Sequence, residues 1–189
     1  MAVVGWAYEL AESLLAEPLP RRWAHSRGVA ARAESLAPVL GDDAETLVAA
    51  AVLHDIGYAP VMAVTGFHPL DGARHLRMLP GLDERVVRLV ANHSFALLEA
   101  EERGLRETLE AEFPQLDDEV LVDALVYCDM TTTPDGSPTT SYARIDEILG
   151  RYGTDSVVGR FIRRAAPSIH ESVARVRVRA RADAAGLTA

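Results

Sequence analysis

The feature that most constrains this chain is the segment TLVAAAVLHDIG at residues 46–57, an apolar run that ends in His54 and Asp55. Its composition predicts a helix that is buried on most sides, and Gly57 predicts its end. An imidazole and a carboxylate at the edge of a core are costly unless something binds them. Adjacent helical residues point about 100° apart, yet both side chains can reach one ion at the last turn. The pair therefore points to a metal ion, provided that further ligands lie nearby.

The rest of the chain also has helical periodicity, and no stretch alternates with the period of two that predicts a strand. Prolines and glycines mark the breaks between the segments. Asp42 or Asp43 is expected to cap the helix that leads to His54, and Thr140 or Ser141 to cap a later one. The predicted helices cover approximately residues 4–16, 20–36, 44–55, 68–79, 84–93, 95–112, 117–129, 141–153 and 155–183.

Length and composition fit a single domain. The chain has 189 residues, of which 49% are hydrophobic and 25% are charged, as in an ordinary globular protein. We therefore predict an all-α, single-domain helical bundle over residues 1–189, with a motif region at 20–135 and C-terminal helices at 139–183. No apolar run approaches the roughly 20 residues that cross a bilayer. The N-terminal segment is predicted to be an amphipathic helix rather than a signal peptide.

Charge and cysteine content exclude several functions. The net charge of −9 argues against nonspecific binding of nucleic acid. All 19 basic residues are arginine, so Schiff-base catalysis, a lysine base and a phosphate-loop lysine are ruled out. The single cysteine, Cys128, excludes an internal disulfide and predicts a cytoplasmic location. Its apolar helical neighbours predict a buried, inert thiol.

Four more residues of metal-ligand type lie near the ends of apolar segments: His25, His68, His93 and Asp129. Imidazole nitrogen combined with carboxylate oxygen suits Mn²⁺, Fe²⁺, Co²⁺ or Zn²⁺, whereas an all-oxygen set suits Mg²⁺ or Ca²⁺. The shortage of sulfur ligands argues against a structural zinc site. The residues by themselves predict a metal site and do not specify its reaction.

The sequence resembles the HD-domain superfamily, whose pattern is H…HD…D. The matching residues are His25, the pair His54-Asp55, and Asp129, in the segments HSRGVAARAESLA, AAAVLHDIG and ALVYCDMTT. The segments FHPLDGA and ANHS resemble the additional histidine positions of the two-metal subgroups. Those subgroups include cyclic-dinucleotide phosphodiesterases, symmetrical dinucleoside-tetraphosphate hydrolases and some di-iron oxygenases.

The resemblance implies an HD-type bundle and a set of ligands. His25, His54, Asp55 and Asp129 would hold one ion, and His68 and His93 a second, with Asp55 bridging the two. Two ions are therefore expected, of Mn, Fe, Co or Zn, with Mg or Ni as further options. His54 and Asp55 are the expected catalytic pair, and hydrolysis would proceed through a metal-bound hydroxide.

Three departures from the known patterns limit which subgroups of the superfamily the chain resembles. The cyclic-dinucleotide phosphodiesterases continue with a glycine-rich GYP signature that is absent here, where Ser94 and Phe95 follow His93. Cyclic di-GMP is therefore not an expected substrate. The tetraphosphate hydrolases carry an acid-proline motif where this chain has TTTPDGSPTT. The glutamate that follows HD in many single-metal nucleotidases is replaced by the stretch Ile56-Gly57-Tyr58.

Candidate substrate-binding residues are Arg27, Arg74, Thr131 and Arg144. The arginines can bind phosphate through bidentate hydrogen bonds, and the threonine hydroxyl can donate to phosphate or sugar. Each also has a structural alternative: a surface role for Arg27 and Arg74, helix termination for Thr131, and an intrahelical ion pair for Arg144. The arginine-rich run ARVRVRARAD is predicted to be a solvated helix or a frayed end.

The leading functional hypothesis is a metal-dependent phosphohydrolase, either a phosphomonoesterase or a phosphodiesterase, whose partner is a small phosphorylated metabolite or nucleotide. Neither a membrane nor a nucleic acid is an expected partner, and the oligomeric state is left open. A di-iron oxygenase is an alternative because it would use the same ligands. A non-catalytic nucleotide-binding module is another, although the completeness of the ligand set argues against it.

Overall fold

The computed structural model describes residues 3–186, so the two residues before and the three after lie outside the described part of the predicted domain. Within this range the chain contains helices and no strands, which confirms the all-α prediction. None of these helices is both long and apolar enough to span a membrane. The helices are α1 Val3–Leu15, α2 Pro20–Glu34, α3 Ala37–Leu40, α4 Ala44–Leu53, α5 His68–Arg77, α6 Glu84–Asn92, α7 Ala96–Glu102, α8 Arg106–Glu112, α9 Glu119–Met130, α10 Ser141–Tyr152 and α11 Val157–Ala184.

Helix α4 occupies the centre of the bundle. Every residue from Thr46 to Leu53 is buried, and α1, α2, α6 and α9 pack around it. The three consecutive alanines Ala49–Ala51 allow neighbouring helices to approach on several sides, because they have no bulky side chain. The segment that the sequence predicts to be buried therefore carries His54 and Asp55 to the end of the central helix.

Helices α10 and α11 form a second apolar cluster against α9. Leu125 of α9 faces the main core, whereas its neighbour Val126 packs with Phe161 and Ile162 of α11. The arginine-rich end of α11 is helical to Ala184 rather than frayed. Pro167 lies inside this helix without ending it.

Several boundaries differ from the prediction. The expected helix over 95–112 is two helices, α7 and α8, because Gly104 adopts a positive φ of 69° between them. The stretch before α4 contains α3 and a 3-10 turn, Gly41–Asp43, and the carboxylate of Asp43 does not cap α4. It instead accepts a hydrogen bond from Arg85 at 2.6 Å. Thr140 caps α10 as predicted, since its hydroxyl accepts from Ala143 N–H.

A buried carboxylate joins α9 to α11. Asp123 is 3% exposed and accepts two hydrogen bonds from Arg175, both at 2.6 Å. Burial alone would raise the pKa of Asp123, but the hydrogen bonds from Arg175 and Ser172 and the positive charges of Arg175 and Arg179 outweigh it and lower the pKa. The ion pair thus stabilises the folded state while the carboxylate is ionised.

We predict that Asp123→Asn lowers the free energy of unfolding by about 1–2 kcal/mol at pH 7, since the hydrogen-bonded charge is lost while Arg175 stays partly solvated. Because the folded-state pKa is depressed, the stabilisation is present above the unfolded carboxyl pKa of about 3.9 and is lost as the pH falls through the lower folded value. Urea titrations at pH 7 and at a series of lower pH values should show the two proteins converging. Asp117→Asn, at an exposed position, is the control and should change little.

Candidate metal centre

Three histidine rings are oriented by backbone carbonyls. The Nδ1 atoms of His25, His54 and His93 lie 2.9, 2.7 and 2.6 Å from the carbonyl oxygens of Thr133, Ala51 and Val90. A carbonyl oxygen only accepts, so each Nδ1 carries the proton and each Nε2 is left with a free lone pair in the neutral ring. Ligand histidines in metalloproteins are commonly held in this way.

The same local device produces two of these orientations. His54 directly follows α4 and His93 directly follows α6, and each ring donates to the carbonyl three residues earlier. The last carbonyls of a helix have no intrahelical donor, so the imidazole satisfies one of them. Both Nε2 lone pairs are thereby directed beyond the helix end.

The first group of ligand atoms consists of His25, His54 and Asp55, all within 4.8 Å of one another. The Nε2 atom of His54 is buried and has no hydrogen-bond partner, and it lies 3.5 Å from an oxygen of Asp55. The Nε2 atom of His25 is 3.1 Å from an oxygen of Asp129. An imidazole lone pair and a carboxylate oxygen repel each other unless a cation lies between them. This donor set therefore fits a divalent metal ion.

A second group shares Asp55 with the first. Asp55, His68 and His93 also place their ligand atoms within 4.8 Å of one another. The two Nε2 atoms are 3.1 Å apart, and that of His68 is 3.4 Å from the other oxygen of Asp55. One carboxylate therefore contacts both groups, as the predicted bridging role requires.

The charge states of the site suit cation binding. Burial would raise the pKa of Asp55 and of Asp129, but the contacts with Arg22 for Asp55 and with His25 and Arg144 for Asp129 hold both well below the usual range. Burial lowers the pKa of His54 and of His68. Near pH 7 the carboxylates are therefore ionised and these two imidazoles neutral, which are the forms that bind metal ions.

Glycine allows the segment after Asp55 to reach α5. A Cβ on Gly57 would lie 2.0 Å from the carbonyl oxygen of His68 and 2.7 Å from the backbone nitrogen of Gly72. No side chain fits at such a distance. The backbone contact sets the start of α5 against the end of α4, and so brings His68 to Asp55.

A second glycine contact fixes the loop after α9. A Cβ on Gly28 would lie 2.3 Å from the carbonyl oxygen of Gly136, and Gly136 itself has a φ of 83°. The loop therefore packs directly on the backbone of α2. Its Thr133 carbonyl is the acceptor for Nδ1 of His25, so the loop orients one ligand.

A tight corner separates His93 from α7. Ser94 and Phe95 both have positive φ, 48° and 64°, although neither is glycine. This conformation costs about 1–3 kcal/mol per residue. It places the Ser94 hydroxyl where it donates a hydrogen bond to Asp129. The predicted ligands His93 and Asp129 are thus linked through a residue that the sequence did not single out.

A stack of three side chains lies beside Asp55. The guanidinium carbon of Arg22 is 3.9 Å from the centre of the Tyr58 ring, and that ring stacks on His68 at 3.9 Å. Arg22 also donates a hydrogen bond of 2.8 Å to Asp55. Neither Arg22 nor Tyr58 was expected at the site, although Arg22 precedes His25 by about one helical turn, a spacing that can place both on one face.

The candidate ligands other than His54 line a pocket that α10 and α11 also line. We call it the metal pocket. Arg144 lines it, together with Arg22 and Arg151, and part of its wall is apolar. The apolar residues of that wall are Met130, Ile148, Val158, Phe161 and Ile162.

Three predicted substrate-binding residues lie elsewhere. Arg27 is exposed on α2 near Trp23, and Arg74 forms an ion pair with Glu112. Thr131 is fully buried, and its hydroxyl donates to the Tyr127 carbonyl. None of the three lines the metal pocket: the first two have other contacts, and the third satisfies the end of its own helix, as in its structural alternative.

The thiol of Cys128 is buried, and burial raises its pKa. The prediction that this cysteine is buried and has no reactive thiolate is therefore supported by its surroundings.

Comparison with known families agrees with this geometry. The family model described as the HD domain matches residues 22–129, which is more than half of the chain. The chain belongs to the HD-domain family. HD domains bind divalent metal ions and are generally hydrolases. No curated protein and no solved structure gives a significant match to this HD domain.

We predict that Gly28→Ala weakens metal binding about 10- to 100-fold, because the loop must move and withdraw the Thr133 carbonyl from His25. Titration with Mn²⁺ by calorimetry measures the affinity, and circular dichroism checks the fold. Gly5→Ala is the matched control, since a Cβ there meets nothing within 4 Å. An unchanged affinity in folded Gly28→Ala would contradict the assigned role of the loop.

Proposed function

We propose that this HD-domain protein is a metal-dependent phosphohydrolase that acts on a small phosphorylated metabolite or nucleotide. The observation that carries the proposal is the convergence of buried imidazole lone pairs and ionised carboxylates at the base of a pocket that arginines also line. Metal ligands and anion-binding groups in one pocket are the combination that phosphoryl transfer needs.

The ligand residues divide between two metal positions. His25, His54, Asp55 and Asp129 would hold one ion, and His68 and His93 would hold another, with Asp55 shared. When bound, such ions supply Lewis acidity and an activated water to the phosphate ester. Mn²⁺, Fe²⁺, Co²⁺ and Zn²⁺ suit the mixed nitrogen and oxygen donors best.

Arg144 is well placed to bind the substrate phosphate. Its side chain is 6% exposed, and its Nε atom is buried without a hydrogen-bond partner. One terminal nitrogen donates to Glu147 at 2.5 Å. A buried guanidinium N–H without a partner is costly, and a shift of the side chain toward a phosphate in the pocket would satisfy it.

Arg22 and the apolar wall would position the rest of the substrate. The stacking of Arg22 on Tyr58 holds its guanidinium at the edge of the ligand cluster, where it can neutralise charge on a phosphoryl oxygen. Phe161 and Ile148 form part of an apolar surface that suits a base or another organic group. The arginines favour an anionic substrate, and this supports phosphate hydrolysis over oxygenase chemistry.

We predict that Asp55→Ala abolishes phosphate release and lowers the amount of metal retained on purification, since both ligand groups contain this carboxylate. Metal analysis combined with a phosphatase screen under Mn²⁺, Fe²⁺ and Co²⁺ measures both effects. The control is Asp117→Asn. Turnover by metal-stripped Asp55→Ala would contradict the proposal, and oxygen uptake by iron-loaded protein without phosphatase activity would favour the oxygenase.

We predict that Arg144→Gln lowers kcat/KM for phosphate esters by about 10- to 100-fold, because a charge-assisted hydrogen bond to phosphate is lost. The metal content should stay at the wild-type level, since Arg144 is not among the ligand groups. Arg177→Gln, at an exposed position on α11, is the matched control and should retain wild-type kinetics. Equal kcat/KM in the Arg144 and Arg177 variants would remove Arg144 from the binding site.

A further inference from the structure

A second cavity adjoins the metal pocket. It has a volume of about 290 Å³, close to the roughly 300 Å³ lower bound of small-ligand pockets. We call it the outer cleft. Arg22, His25 and Arg151 line both the outer cleft and the metal pocket, so the two spaces adjoin at these residues. The remaining lining residues are Pro18, Leu19, Pro20, Arg21 and Pro134.

The outer cleft is positively charged. Arg21, Arg22 and Arg151 line it, and no carboxylate is among the described residues of its wall. Arg21 has an ion pair with Asp135, but both side chains are more than half exposed, so solvent screens this pair.

Arg22 is paired with Asp55 at 2.8 Å, whereas Arg151 is incompletely neutralised. Arg151 shares the single carboxylate of Glu147 with Arg144, at 3.2 and 2.5 Å. Two guanidinium groups and one carboxylate leave an excess positive charge where the cleft and the metal pocket adjoin. An anion bound there would be attracted by both arginines.

Prolines restrict part of the backbone of the cleft wall before any ligand binds. Pro18 and Pro20 form one side and Pro134 another, and proline fixes its own φ. The loop that carries Pro134 is held to α2 by the backbone contact between Gly28 and Gly136. A preformed site loses little conformational entropy on binding. This favours a binding role for the cleft.

We propose that the outer cleft binds a second phosphate group of the substrate, so that the substrate class is an ester of diphosphate or of a longer phosphate chain. This inference rests on the proposed phosphohydrolase function and specifies its substrate. Adjacent phosphates of a diphosphate share one bridging oxygen. Arg22, which lines both spaces, can therefore contact one phosphate at the ligand cluster and its neighbour in the cleft, while Arg151 binds the neighbour from the other side.

The first test measures binding with probes that cannot be hydrolysed. Methylenediphosphonate and methylphosphonate are titrated by calorimetry into Mn²⁺-loaded protein, with Mn²⁺ matched in both solutions. Wild-type protein is expected to bind the diphosphonate at least 10-fold more tightly, and Arg151→Gln to lose most of that preference. Arg177→Gln should behave as wild type. Arg21 lines only the cleft, so Arg21→Gln should reduce the preference for the diphosphonate by a smaller factor. It provides a second variant if Arg151→Gln fails to fold.

The second test compares turnover of a nucleoside diphosphate with that of the corresponding monophosphate. The ratio of kcat/KM should favour the diphosphate in wild type and fall about 10-fold in Arg151→Gln. Equal binding of the two phosphonates by wild type, or a preference kept by both arginine variants, would overturn the second subsite. If no ester is hydrolysed but the Arg151-dependent preference is found, the subsite stands and the phosphohydrolase proposal fails.

Discussion

The geometry of the site depends on hydrogen bonds that imidazole Nδ1–H groups donate to backbone carbonyls. At the ends of α4 and α6 the carbonyls of Ala51 and Val90 have no helical donor, and His54 and His93 supply one. A loop carbonyl does the same for His25. A single type of hydrogen bond thereby sets the tautomer, the ring plane and the direction of the lone pair. The metal centre is consequently built from backbone geometry as much as from the side chains themselves.

Burial of this cluster opposes the stability of the metal-free protein. The carboxylates of Asp55 and Asp129 are ionised and almost fully buried, and an imidazole lone pair of His54 has no partner. Such groups are costly when they are not compensated. Arg22 offsets part of the charge of Asp55, and Ser94 offsets part of that of Asp129. Bound cations would compensate the remainder, and two ions together would connect five segments of the chain.

The sequence pointed to candidate ligands because polar residues interrupt apolar helices at their ends, and the resemblance to HD domains supplied their division into two groups. His25, His54, Asp55, His68 and His93 each lie at or beside such an interruption or on a buried helix face, and a buried polar group needs a partner. These positions could therefore be recognised without coordinates.

The surroundings of the ligands could not be predicted in the same way. Which surface Arg74 reaches is decided by Glu112, 38 residues away, and the position of Arg22 depends on stacking against Tyr58. Long-range contacts thus decide whether an arginine lies inside or outside the pocket. Gly104 is a local signal that helical periodicity does not contain, and it divides the predicted helix over 95–112.

The backbone corner at Ser94 and Phe95 is strained and directly follows a candidate metal ligand. Two successive non-glycine residues hold a left-handed backbone, and their strain is maintained by what lies on either side, a candidate ligand before them and the apolar packing of Phe95 after them. A sequence selected only for thermal robustness would be expected to place glycine here. Selection for heat resistance and selection for a well-ordered metal centre would therefore favour different residues at this corner.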